Sequence, residues 1–166
     1  PRAVEPAHIC GKMGTPIVVQ IGSCGSLHQI VKTGDIMLPD PAHIGEGASP
    51  YYGKHIESSP DLSLTNDAKT RIEAKGIVAH QGHHLTTSAL LQQDFNTINQ
   101  WSAAGYLAVD METSAVFSVA QYFEMRAVSM LFVWDELLRD RTWIDSFSEE
   151  ETAMHNKANQ VIFEVA

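Results

Sequence analysis

Three short polar segments each follow an apolar run of the sequence, and their residue types could do chemistry. They are Gly22–Gly25, Asp110–Glu112 and Trp134–Asp135. Small residues after a strand leave backbone N–H groups free to face an anion or a sugar oxygen. A carboxylate such as Glu112 accepts two hydrogen bonds at once, which matches the two neighbouring hydroxyl groups of a ribose. These segments are therefore candidate parts of a binding site.

Asp135 ends the most apolar run of the chain, Ala127–Val133, and directly follows Trp134. A carboxyl group in apolar surroundings keeps its proton to a higher pH, so Asp135 could act as a general acid near neutral pH. Each segment also has a purely structural explanation. A tight turn would explain the glycines, and capping of the following helix or turn would explain Asp110, Glu112 and Asp135. The residue types alone leave both explanations open.

Other kinds of site find less support in the sequence. Eight histidines are present, and His80, His83 and His84 lie close together, but no His-Glu-x-x-His pattern or pair of Cys-x-x-Cys motifs accompanies them. We therefore expect no bound metal. The sequence has no Gly-x-Ser-x-Gly motif of a serine hydrolase, and no Gly-Lys-Ser/Thr follows Gly25 as it would in a nucleotide-binding P-loop.

The elements that must position these residues alternate along the chain. Short apolar runs predict strands over 16–21, 35–38, 77–80, 106–109 and 127–133. Apolar spacing and capping residues predict helices over 2–13, 65–75, 88–104, 113–124 and 148–165, with a long loop over 41–63. This pattern is typical of one α/β domain, residues 1–166, whose central sheet is covered on both faces. Ligands bind outside the carboxyl ends of the strands in such sheets, where the three polar segments begin.

The composition excludes several classes of partner. The chain has 166 residues, 44% of them hydrophobic, and 11 basic against 20 acidic residues, with a formal net charge of −9. Such a charge argues against binding to nucleic acid or to a membrane surface, which both favour basic patches. The two cysteines, Cys10 and Cys24, are expected to be free buried thiols. Without a signal peptide or an apolar membrane span, these features lead us to expect a cytoplasmic protein.

Taken in order, the segments resemble motifs of the nucleoside phosphorylase superfamily, which contains purine nucleoside phosphorylase, uridine phosphorylase and adenosylhomocysteine-type nucleosidases. The stretches similar to family motifs are 18–25, 33–36, 83–89, 109–112 and 133–135. Each motif is moderately specific, whereas the ordered set is distinctive and extends over roughly the whole chain. The resemblance implies a three-layer α/β fold with a central mixed sheet and helices on both faces.

The resemblance also implies an activity, the cleavage of the N-glycosidic bond of a purine or pyrimidine nucleoside with phosphate as the nucleophile. Asp135 would be the catalytic residue, which protonates or hydrogen-bonds the departing base. The residues expected to bind substrate are Ser23, Cys24, Gly25, Leu90, Asp110, Met111, Glu112 and Trp134, and those expected to bind phosphate are Gln20, Gly22 and Ser23. The implied partners are a nucleoside and inorganic phosphate as co-substrate, without a cofactor, in a homo-oligomer (a dimer or a trimer of dimers).

The sequence departs from the family pattern at several positions. Gln20 stands where phosphorolytic members carry an arginine, and an amide cannot replace the charge of a guanidinium toward phosphate. Asp110 replaces a glutamate, Trp134 replaces a small residue, and the glutamine and arginine that read uracil are not evident over 92–96. The N-terminal strands and the glycine-rich phosphate loop of the family are missing, so the domain is expected to be incomplete at its N-terminus.

These departures leave two alternatives to phosphorolysis. One is a hydrolytic nucleosidase, which the uncharged Gln20 favours. The other is a non-catalytic nucleoside-binding subunit, which the missing phosphate loop and the altered Gln20 and Trp134 favour.

Overall fold

The computed structural model describes residues 1–139, 144 and 146–166 of the chain. Among these residues the strands are β1 (Ile17–Ser26), β2 (Ile36–Gly45), β3 (Glu57–Ser58), β4 (Ala79–Thr87), β5 (Ala108–Asp110) and β6 (Arg126–Glu136). The α-helices are α1 (Val4–Lys12), α2 (Leu62–Ala74), α3 (Phe95–Ala103), α4 (Thr113–Tyr122) and α5 (Glu149–Val165). No described helix combines the length and the apolar character that crossing a membrane would require.

The six strands form one mixed sheet in the order β3-β2-β4-β5-β1-β6. β1 pairs parallel with β6, and β4 pairs parallel with both β2 and β5, whereas β1 and β5 are antiparallel. β6 also pairs antiparallel with β2 through Ile36–Phe132 and Met37–Leu131, so the sheet closes on itself. The predicted α/β class with a central mixed sheet is confirmed.

Helices cover the sheet on both faces, as predicted. Helices α2 and α5 bury one layer of apolar side chains, which includes Ile36, Leu38, Ile72, Val128, Met130, Val161 and Ile162. Helices α1 and α4 bury a second layer, which includes Ala7, Ala42, Val116, Phe117, Val119 and Ala127. Burial of these side chains supplies the main favourable term for folding, and it holds the strands in a fixed register.

Local signals in the sequence locate several helix ends correctly. Ser148 and Glu151 form the predicted capping box at the start of α5, with hydrogen bonds of 3.1 and 2.8 Å. Gly14, Gly76 and Gly105 follow the ends of α1, α2 and α3 and have φ of +74°, +73° and +91°. Residues other than glycine rarely adopt such φ values, so these positions require glycine.

The first strand is longer than predicted. Residues 22–26 were expected to be a loop, but β1 continues to Ser26 because its partner β6 also continues, to Glu136. A β-bulge between Cys24 and Gly25 shifts the register, so that Gly25 lies beside Asp135. Backbone pairing with a neighbouring strand thus outweighs the loop preference of the small residues.

The predicted long loop over 41–63 and the predicted helix over 88–104 are also wrong in part. β2 runs through Pro39 and Pro41 to Gly45. Pro39 pairs with Gly82 of β4, and a register shift between Pro39 and Ala42 leaves Pro41 out of the ladder with β4. α3 begins only at Phe95, since the Asp94 side chain accepts a hydrogen bond from the backbone N–H of Thr97 and caps the helix there.

Candidate active site

A cavity of about 430 Å³ lies where β1, β5 and β6 end. All three polar segments contribute to its wall, through Ser23, Cys24, Gly25, Asp110, Met111, Glu112, Trp134 and Asp135. The remaining wall is mainly apolar and consists of Leu90, Leu91, Gln93, Phe95, Ile98, Val109, Leu137 and Ile144. Every residue that was predicted to bind substrate therefore lies at this one cavity, which we call the main cavity.

A second cavity adjoins the first and has a volume of about 450 Å³. The two share Ser23, Asp110 and Glu112. The wall of the second cavity also includes Arg2, Ala3, Gln20, Ile21, Gly22 and Leu131. The residues predicted to bind phosphate, Gln20, Gly22 and Ser23, thus lie together at the second cavity, and Arg2 supplies a cation that was not predicted to be part of the site.

The strand register explains why a glycine stands at the centre of the main cavity. Gly25 lies beside Asp135 in the pairing of β1 with β6. A Cβ atom at Gly25 would lie 2.8 Å from Cδ1 of Leu137 and 3.0 Å from Oδ1 of Asp135. Contacts this short are repulsive, so only glycine leaves room for the Asp135 carboxyl group in its observed position.

Asp135 and its neighbour Trp134 are held at the end of β6. Asp135 is 7% exposed. The Trp134 ring stacks on the ring of His155 from α5, with centroids 4.7 Å apart and planes 2° from parallel. The His155 Nε2 atom lies 2.8 Å from the backbone oxygen of Trp134, and Phe147 packs edge-on against the indole. This packing fixes Trp134 as a rigid wall of the main cavity.

Asp110 is a buried carboxyl group whose side chain is only 2% exposed. Its Oδ1 accepts a hydrogen bond of 2.8 Å from the hydroxyl of Thr86 and lies 3.1 Å from Nε2 of His84. Burial raises the pKa of Asp110, but the charge of His84 and the hydrogen bonds from neighbouring side chains outweigh it. The pKa therefore lies below its ordinary value.

Glu112 lies half-buried between the two cavities. Its pKa is raised, first by burial and then by the nearby negative charge of Asp110. The positive charge of the chain's first amine, a backbone hydrogen bond from Arg2 and the charge of Arg2 partly oppose this shift. The Glu112 carboxyl group has access to both cavities and can receive hydrogen bonds from a ligand in either of them. This is the arrangement that binding of neighbouring hydroxyl groups requires.

Cys24 is a buried thiol between the acidic groups. Burial raises its pKa well above the ordinary value, and the charges of Asp110 and Asp135 raise it further. The thiol is therefore neutral and a poor nucleophile, which gives it the role of an uncharged wall. Cys10 is also free but is only partly buried, so the expectation of two buried thiols is correct for Cys24 alone.

Several wall residues were not predicted from the sequence. They are Leu91, Gln93, Phe95, Ile98, Val109, Leu137, Ile144 and, in the second cavity, Arg2, Ala3, Ile21 and Leu131. Gln93 lies within the stretch 92–96 in which no base-reading residue was evident. No local signal marks these residues, because most are ordinary apolar side chains, and Ile98, Val109 and Leu137 are brought together only by tertiary packing.

The histidines do not gather into a metal site within the described ranges, where no group of three or more His, Cys, Asp or Glu side chains could hold a metal ion. His80 instead lies 2.8 Å from Asp35, near the start of β4, and His84 lies beside Asp110.

Comparison with known proteins agrees with this geometry. A family model described as the phosphorylase superfamily matches residues 1–166. The chain is 28% identical over 127 residues to a DeoD-type purine nucleoside phosphorylase of Alkaliphilus metalliredigens (strain QYMF), a match that covers 75% of this chain and 54% of the relative. It is 27% identical over 155 residues to a DeoD-type purine nucleoside phosphorylase of Geobacillus kaustophilus (strain HTA426), covering 92% and 64%. The chain thus spans 54% to 64% of the length of these relatives.

Solved structures show the same fold. An AMP nucleosidase from Bacteroides thetaiotaomicron VPI-5482 matches with a TM-score of 0.73 and 24% identity, over 99% of this chain and 70% of the other. A P. knowlesi homolog of P. falciparum PNP matches with a TM-score of 0.77 and 17% identity, over 96% and 66%. At these identities the likeness concerns the fold and not the reaction.

Proposed function

The chain belongs to the phosphorylase superfamily, and on this basis we propose that it cleaves the N-glycosidic bond of a nucleoside and transfers the sugar to phosphate. The observation that carries the proposal is the meeting of Ser23, Glu112 and Asp135 at one cavity. Their side chains supply, in that order, a contact for the nucleophile, a grip on the sugar hydroxyls and a proton for the departing base.

In the proposed reaction, opposite charges develop on the two sides of the N-glycosidic bond. As the bond from C1′ to the base nitrogen breaks, its electron pair moves to the base, and Asp135 donates a proton or a hydrogen bond to that base. Positive charge develops on the sugar ring, and the Glu112 carboxylate stabilises it while holding the hydroxyl groups. A phosphate oxygen in the second cavity, beside Ser23, then forms the new bond to C1′.

We propose a purine nucleoside as the substrate. The main cavity has room for one nucleoside, and its wall is mostly apolar, with Asp135 and Gln93 among its few polar groups. A large flat base needs apolar contact area and few hydrogen-bonding groups. The relatives named above are purine nucleoside phosphorylases, which supports the same choice.

A hydrolytic nucleosidase is the second candidate, because of the charges at the second cavity. Among the described residues that line this cavity, Arg2 is the one cationic side chain, and Asp110 and Glu112 line it too. Gln20 is uncharged, and its amide nitrogen donates a 3.3 Å hydrogen bond to Asp110. A water molecule needs no positive charge to bind here, whereas a phosphate dianion does.

A nucleoside panel incubated with and without inorganic phosphate tests the proposal. We expect free purine base together with a sugar phosphate, in a reaction that depends on phosphate. Free base with free sugar, independent of phosphate, would establish the nucleosidase instead. Binding without turnover, measured by calorimetry, would indicate a non-catalytic subunit. Neither binding nor turnover would overturn the proposal.

The proposed reaction uses inorganic phosphate as a co-substrate and needs no cofactor. That the protein is a homo-oligomer and that it is cytoplasmic stay predictions. Tyr51, which lies between β2 and β3, is 87% exposed and is available for contact with another copy. Sedimentation analysis of the purified protein measures the number of subunits.

Replacing Gly25 by alanine is expected to lower kcat by about tenfold or more, because displacing a catalytic group by about 1 Å is costly. The new methyl group would collide with Leu137 and with Asp135. Steady-state kinetics of base release measure the effect. Gly47→Ala is the control away from both cavities, since a Cβ atom at Gly47 would meet no atom within 4 Å. Equal kcat values for both variants would contradict the role given to Gly25.

A further inference from the structure

The His84 ring is buried in the sheet between two small residues on the neighbouring strands. It is fully buried on β4, and its partners in register on the two neighbouring strands are Ala42 and Ala108, which are also fully buried. The small alanine side chains leave room for the imidazole ring. The His84 Nε2 atom lies 3.1 Å from Oδ1 of Asp110, and neither ring nitrogen forms a well-aligned hydrogen bond with a described residue. The contact with Asp110 is therefore a close approach of two buried polar groups and not an aligned hydrogen bond.

Asp110 has no acceptor capacity left for a ligand. A carboxylate has about four lone-pair positions. Oδ1 is taken by Thr86 and the contact with His84. The donors to Oδ2 are the backbone N–H of Glu112 (3.2 Å), the N–H and hydroxyl of Thr113 (2.9 and 2.6 Å) and the amide of Gln20 (3.3 Å). Although Asp110 lines both cavities, its oxygens are directed to the protein.

The bonds from Asp110 control the backbone at Glu112. The N–H groups of Glu112 and Thr113 lie at the start of α4, where no earlier turn of helix supplies an acceptor. Asp110 accepts both of them and so fixes the point from which the Glu112 side chain extends into the cavities. A change that loosens Asp110 would loosen the Glu112 backbone as well.

We propose that His84 and Asp110 are positioning residues, a buried pair of side chains that fixes the backbone of Glu112 without touching the substrate. Asp110 was predicted to bind substrate, and this proposal replaces that role. The expected effect on nucleoside binding rests on the proposed function, because it requires Glu112 to hold the sugar. The expected effect on the Glu112 backbone in the free protein does not depend on the proposed function.

The test compares His84→Leu with His80→Leu. His80 is a matched control on the same strand, because its ring also approaches a carboxylate, 2.8 Å from Asp35, but it does not line either cavity. Amide hydrogen exchange of Glu112 and Thr113 in the free protein is the readout. We expect exchange to accelerate by about tenfold in His84→Leu, because a buried polar group loses one of its partners. We expect no change at these amides in His80→Leu.

A double-mutant cycle shows whether His84 acts through Asp110. In an Asp110→Asn background, His84→Leu is expected to cause no further acceleration. His84→Gln, whose amide can donate to Oδ1, is expected to restore most of the protection. If His84→Leu does not fold, amide exchange of Glu112 and Thr113 is compared between His84→Gln and His80→Gln instead. Exchange of these amides in His84→Gln at the rate of an unprotected amide overturns the proposal.

Adenosine binding, measured by calorimetry, extends the test to the site. We expect His84→Leu to weaken adenosine binding by about tenfold, with His80→Leu close to the wild type. Unchanged exchange at Glu112 and Thr113 in His84→Leu, or equal acceleration in His80→Leu, would overturn the positioning role. Accelerated exchange in a protein that neither binds nor cleaves any nucleoside of the panel would support the positioning role and refute the proposed function, so the two failures are distinguishable.

Discussion

Replacing Glu112 by glutamine is expected to lower kcat/KM for nucleoside cleavage by about 10²–10³-fold, because hydrogen bonds to a charged acceptor are each worth about 1.5–3 kcal/mol. The amide keeps the size of the side chain but loses the charge. It accepts at one oxygen only, so one sugar hydroxyl loses its partner. The lost interaction energy should be larger in the transition state than in the bound substrate, because the sugar ring is positively charged only in the transition state.

The same variant has a pH signature. The pKa of Glu112 is raised by burial and by Asp110, so its carboxylate is lost at a less acidic pH than that of an ordinary glutamate. We expect kcat/KM of the wild type to fall as the pH decreases through this raised pKa, because the neutral acid binds hydroxyl groups less strongly. Glu112→Gln should lack this acidic limb.

Glu46→Gln is the control for Glu112. Glu46 is also a partly buried glutamate, but its carboxylate binds Ser49 and Ser114 and it does not line either cavity. Hydrogen bonds from these serines and from the backbone lower its pKa despite partial burial, which raises it. Steady-state kinetics across the pH range should show wild-type cleavage in Glu46→Gln. Wild-type kcat/KM in Glu112→Gln would refute the sugar-binding role.

Replacing Asp135 by asparagine is expected to lower kcat by about 10²–10⁴-fold, which is the usual contribution of a positioned general acid. Asparagine has nearly the same shape, and its amide still fits beside Gly25, so substrate binding should change little. The effect should therefore fall on kcat and much less on KM. Single-turnover measurements of base release determine the rate of the chemical step.

The neighbouring Glu136 offers a control from the same strand end. Its carboxylate accepts hydrogen bonds from Thr33 and forms ion pairs with Lys32 and Arg139, and it does not line the main cavity. Glu136→Gln should lower the free energy of unfolding but leave kcat near the wild-type value. A kcat in Asp135→Asn equal to that in Glu136→Gln would show that Asp135 is not the proton donor. A nucleoside whose departing base needs no proton should be least sensitive to Asp135→Asn.

The sequence predicted the alternation of elements well and their boundaries unevenly. Helix ends marked by a local signal, such as the capping box at Ser148 or Gly76 after α2, are where the sequence places them. Such signals act within one turn of chain and need no distant partner. The strand through Gly22–Ser26 and the continuation of β2 past Pro41 were missed. Both depend on pairing with strands far away in the sequence.

The candidate site likewise depends partly on local sequence and partly on contacts between distant residues. The chain order of small residues after β1, acidic residues after β5 and Asp135 at the end of β6 is a property of the sequence, and it was sufficient to predict which segments would share a cavity. Only the tertiary structure decided the rest: that a bulge sets Gly25 beside Asp135, that His155 stacks on Trp134, and that Asp110 faces His84 and the start of α4. These contacts join residues separated by up to 110 positions in the register of β1 with β6. Residue type determines what a side chain can do, whereas strand register and packing determine what it faces.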